Sequence, residues 1–140
     1  PTHTTKFRAC KHNFESAGKP TKQIWVFHGT PKKSVVPLIM TGGFEIGGIG
    51  VGVDIANGYA YGHGVYAATG PDTPMFYAGN SGQVILARAF PGTIGGQDRS
   101  DSWIPHNDWY VFSTKEQLLP VYVVHYGDDD DDDDDDDARW

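Results

Sequence analysis

The chain has 140 residues, 39% of them apolar, enough for one packed domain, with 11 basic and 18 acidic side chains and a formal net charge of −7. Ten of the acids form one block, Asp128–Asp137, and residues 1–127 carry 10 basic against 8 acidic residues, about +2. That near-neutral body gives no indication of nucleic acid as a partner, a single cysteine (Cys10) rules out an internal disulfide, and no run approaches the roughly 18 apolar residues of a membrane span.

Residues 1–22 are polar and are expected to form an irregular, mildly basic arm with Lys6, Arg8, Lys11, Lys19 and Lys22. Cys10 and His12 alone do not make a metal site, so no metal is expected. Gln23 to Phe27 reads as a short buried strand that runs out into His28-Gly29-Thr30. Val35, Val36, Leu38 and Ile39 then group on a short helix closed by Gly42-Gly43, with Pro37 in its first turn.

From Glu45 to Gly64 the sequence is glycine-rich and has no settled period, as in a functional or mobile loop. Val65–Ala68 reads as a strand, and "PDTPMFYAG" as a turn into a short helix. Gly82 to Gly92 contains the clearest strand, a near-continuous apolar run. Residues 93–108 read as polar loop, with Trp103 and Ile104 tucked inward. "WYVFST" and "LPVYVVHY" are two further strands. About five strands with two short helices and no βαβ alternation predict an α+β domain on a mixed or antiparallel sheet. The domain proper is then 23–127, and 128–140 is a poly-Asp tail whose like charges prevent folding.

Four segments, in order, resemble the catalytic domain of the poly(ADP-ribose) polymerases, the diphtheria-toxin-like ADP-ribosyltransferases. "FHGT" is similar to the family's His-Gly-Ser/Thr element. "YGHGVYAA", Tyr61 to Ala68, resembles its Gly-Lys-Gly-x-Tyr-Phe-Ala segment, with His63 for lysine and Ala67 for phenylalanine. Tyr77 stands 11 residues after Tyr66, where the family has a second tyrosine, and "QLLPVYVVHY" resembles its closing strand.

The resemblance implies a fold of split mixed or antiparallel sheets with short flanking helices, and NAD as co-substrate without a metal. It implies that Gly29 bonds the nicotinamide carboxamide through its backbone, which no Cβ obstructs. Thr30 adds a hydroxyl to that amide, Tyr77 stacks on the nicotinamide ring, and Tyr66 forms the opposite wall. His28 donates to a ribose hydroxyl on the adenosine side. It also makes the glycine-rich segment Gly42–Gly58 a donor-site lid. Tyr59 and Tyr61 pack near that loop.

One position breaks the pattern. The family's glutamate, which steadies the developing positive charge on the ribose, aligns with Trp109 when counted back from Gln117. Asp108, one residue earlier, reaches the pocket only if a bulge turns it inward, and Glu116 lies far from the expected place. Polymer synthesis is therefore not expected. The resemblance implies transfer of a single ADP-ribose unit to a protein side chain, the acceptor being an unknown protein or the chain's own Asp block. The alternatives are a binder of NAD or ADP-ribose that does not react, and NAD hydrolysis. The chain does not begin with methionine and reads as an excised intracellular domain, nuclear or cytoplasmic.

Overall fold

The computed structural model describes residues 2–46 and 61–127. Most of the expected lid over Gly42–Gly58, together with Tyr59 and the Asp128–Asp137 block, lies outside these residues. The described chain is α+β: helix α1 (Thr2–Ser16), strand β1 (Ile24–His28), helix α2 (Val35–Gly42), β2 (Val65–Ala68), helix α3 (Asp72–Ala78), β3 (Gln83–Ala89), β4 (Ser102–Trp103), β5 (Trp109–Phe112) and β6 (Leu118–His125). Its helices are too short or too polar to cross a membrane among the described residues.

The strands lie in the order β4-β5-β2-β1-β3-β6, and every neighbouring pair is antiparallel. The expected split into two sheets is replaced by one continuous sheet with a narrow junction. β1 and β3 register over five pairs, whereas β1 and β2 register at Phe27↔Ala68 alone. Pro120, which has no N–H to give a ladder, sits in the edge strand β6 beside the register shift at Leu86/Ala87, where edge position and irregularity tolerate it.

Alternation along the strands sorts the side chains onto two faces. Val26, Val65, Ala67, Ile85, Ala87, Ala89, Phe112 and Leu118 bury one face beneath Val35, Val36 and Ile39 of α2 and beneath Phe44. On α2 those three residues fall at a helical spacing, and the helix ends where Gly43 takes φ 88° and returns its N–H to Ile39 O at 2.7 Å. The opposite face receives α3, whose Pro74 and Ala78 are buried.

The N-terminal arm is a helix, contrary to the sequence reading. Its 15 residues are polar on average, but Phe7, Cys10 and Phe14 recur at i, i+3 and i+7 and make one narrow apolar stripe. Phe7 stacks on Phe90 at 4.6 Å, and Leu119 packs beside them. Lys19 then pairs with Asp101 at 2.9 Å and ties the end of the arm to the 93–108 loop.

That loop is more ordered than its composition predicts. It contains the short strand β4, and Trp103 is buried as expected, whereas Ile104 is 42% exposed. Gln117, 1% exposed, holds the loop in place. Its Nε2 donates to Phe90 O and Asp101 O, both at 2.9 Å. Its Oε1 accepts from Ser113 Oγ, Thr114 N and Thr114 Oγ1, each at 3.0 Å.

Candidate functional site

The α3 face of the junction gathers four of the seven residues singled out from sequence. Tyr66 and Ala68 of β2 register with Val111 and Trp109 of β5, so Tyr66 and Trp109 project from the same face. Gly29 lies at the end of β1 against α3, and a Cβ there would collide with the Pro74 carbonyl. Tyr77, one turn further along α3 and 39% exposed, meets Trp109 edge to face with ring centroids 6.2 Å apart.

Trp109 is the centre of an aromatic cluster. Its ring also makes edge contacts with Tyr61 and His106, each at 5.5 Å, and its indole N–H donates to Thr73 Oγ1 at 3.1 Å. β5 thus carries a bulky indole where the resemblance calls for a carboxylate, and α3 fastens it there. Asp108, the other candidate for the missing acid, is engaged in a turn. Its Oδ2 accepts from Gly70 N at 2.8 Å and its carbonyl from Thr69 N at 3.1 Å, which closes the turn after β2. The bulge that would turn it inward is absent from the β2–β5 register, which runs unbroken from Val65↔Phe112 to Ala68↔Trp109.

Tyr66 directs its hydroxyl back to its own loop, donating to Gly62 O at 2.7 Å and accepting from Tyr61 N at 3.0 Å. Burial, more than any charge, raises the pKa of this phenol, and Asp98 adds to the effect. Asp98, unremarked in the sequence, accepts from His63 N at 2.8 Å. It takes φ 59°, a left-handed conformation that Asp tolerates, and nothing in its neighbours on the chain points to Tyr66. Tyr61, Thr73 and His106 also join the site only through tertiary contacts.

His28 lies on the other face. Alternation with Phe27 puts its ring on the α2 side, 7% exposed, edge-on to Phe44 at 5.0 Å. Its Nδ1 is 2.7 Å from Tyr66 O. A carbonyl only accepts, so Nδ1 carries the proton, and burial lowers the imidazole pKa and keeps the ring neutral. In this tautomer Nε2 is an acceptor, so a ribose hydroxyl would have to donate to it, whereas the resemblance implies a His28 that donates. By extrapolation of the Phe27↔Ala68 register, Tyr66 stands opposite Gly29, where the β1–β2 ladder has already ended. The His28 bond takes the place of the missing ladder bond and straps the two halves of the sheet together.

Thr30 is 2% exposed, and its Oγ1 accepts from Lys32 N at 3.4 Å, an ST-type turn. Among the described residues no group of three His, Cys, Asp or Glu side chains could hold a metal ion. No protein-family description and no curated protein matches this chain.

Proposed function

We propose that this domain binds NAD on the α3 face of the sheet and transfers a single ADP-ribose unit to a protein side chain, releasing nicotinamide. The observation that supports the reading is the convergence of Gly29, Tyr66, Tyr77 and Trp109, four residues from four separate elements, on one face. The half-exposed ring of Tyr77 offers a stacking surface for a flat aromatic amide. Because Pro74 fills the side of Gly29 where a Cβ would stand, only the peptide edges of Gly29 remain for a carboxamide. NAD itself would supply the activated ribose and its leaving group. The protein would position them and exclude water, which by itself can contribute several kcal/mol.

In this reading the chain contributes no carboxylate to the ribose from β5, so the acceptor's own carboxylate assists. A second reading, a binder of NAD or ADP-ribose that does not react, is favoured by the fastening of Trp109 to Thr73 and of Asp108 to Gly70. Incubation of the protein with NAD separates them, with nicotinamide release, intact mass and calorimetric NAD titration measured on the same sample. A gain of one ADP-ribose unit with matching release supports transfer, and release without the gain points to hydrolysis. Saturable binding without release leaves the binder, and the absence of NAD binding overturns both readings.

A further inference from the structure

A second aromatic surface lies on the other half of the sheet. Trp25 of β1 registers with Arg88 of β3, and Tyr122 of β6 with Leu86, two residues before Arg88, so all three side chains project from one face. The Trp25 and Tyr122 rings lie 22° from parallel with centroids 6.2 Å apart, and the Arg88 guanidinium sits 5.8 Å from the Trp25 ring centroid. Trp25 is 48% and Tyr122 58% exposed. Trp25 is four residues from Gly29 along β1, about 13 Å, and so outside the Trp109 cluster.

The strands that carry these rings hold charge of one sign. β1, β3 and β6 contain no Asp or Glu, Arg88 has no acidic partner among the described residues, and Lys22, three residues before Trp25, is exposed. Exposed aromatic rings beside cations that have no acidic partner among the described residues match a ligand of flat rings joined by anions. A carbohydrate would stack on the same rings but leave Arg88 and Lys22 without a counter-charge. A duplex would offer phosphates but no free base faces.

We infer that this face binds single-stranded nucleic acid, with bases stacked on Trp25 and Tyr122 and phosphates met by Arg88 and Lys22. The site is independent of the NAD reading.

The test is fluorescence anisotropy of a dye-labelled oligouridine of about ten nucleotides titrated with the full chain. Low salt is required, because the ten aspartates of Asp128–Asp137 repel phosphate. Binding is expected to weaken as salt rises, by a log–log slope of about 0.7 per phosphate engaged. Trp25→Ala and Tyr122→Ala each weaken it about tenfold, Trp25→Phe keeps a flat ring and stays within about threefold, and Arg88→Gln removes about 0.7 from the slope. All three side chains are exposed, so the variants fold, which circular dichroism checks. No anisotropy change at low salt overturns the inference, as does binding that ignores these substitutions. Preference for a neutral oligosaccharide, or a dimer in sedimentation that buries Trp25, overturns it equally.

Discussion

Replacing Trp109 by glutamate asks directly what the indole does. The side chain contributes one hydrogen bond to Thr73, about 1 kcal/mol net, and edge contacts with Tyr61, Tyr77 and His106 that are typically about 0.5–1.5 kcal/mol each in buried pairs. Trp109 is only half-buried and Tyr61 and Tyr77 are exposed, so these contacts fall at the low end. The expected cost of Trp109→Glu is therefore about 2–3 kcal/mol, which a domain of ordinary stability survives. In return the face gains a carboxylate beside Tyr66 and Tyr77, where the proposed reaction develops positive charge. A preorganised electrostatic partner of this sort is commonly worth about 10²–10³ in rate. A carboxylate placed in a site not shaped around it should recover part of that, about tenfold in nicotinamide release. Release is followed by chromatography, with urea denaturation and NAD titration as controls and Asp108→Asn as the companion variant. Asp108→Asn keeps an oxygen for Gly70 N–H and should leave release unchanged. A folded, NAD-binding Trp109→Glu protein that releases nicotinamide no faster refutes the placement of Trp109 at the carboxylate position. A large fall in Asp108→Asn would make Asp108 the working acid.

Gly29→Ala drives a methyl group into the Pro74 carbonyl, so α3 must shift, at a cost of about 1–3 kcal/mol; a thermal midpoint equal to the parent's would show that α3 does not pack on β1 as described. His28 gives a pH signature. Its folded-state pKa lies below the ordinary 6.5, so the unfolded chain binds the proton more readily. Its stability contribution is full above about pH 6.5 and is lost as pH falls through the folded value. Denaturant midpoints that decline below pH 6.5 in the parent and less in His28→Gln fit this, whereas identical profiles would remove the buried neutral imidazole. Gln117→Leu leaves the Thr114 N–H and the Phe90 carbonyl without its amide, and equilibrium unfolding should register more than about 3 kcal/mol; a loss under about 1 kcal/mol would mean that water replaces the network.

The strands were legible because their signal is local. "IWVFH", "VYAA", "QVILARA" and "WYVF" are largely apolar runs rich in β-branched or aromatic residues, and each forms a strand within three residues of its expected ends. The α1 helix was missed because its burial depends on three apolar side chains in 15 residues, which only become a stripe once Phe90 and Leu119 provide something to pack against. Ile104 was placed inside by composition, although its neighbour Trp103 alone is taken up, by a bond from its indole N–H to Tyr61 O at 2.6 Å.

By itself the sequence determined the α+β class, the order of the strands along the chain, and the absence of a carboxylate at position 109. These follow from residue type and spacing, which require no partner to be read. Only the tertiary structure decided that the sheet is continuous with a one-pair junction, because register depends on which strands meet. It also decided that His28 donates through Nδ1 to Tyr66 and faces α2, that Asp108 is spent on closing a turn, and that Thr73 fastens Trp109. Each of those outcomes is a hydrogen bond between groups 36 or 38 residues apart, and no local pattern encodes such a bond.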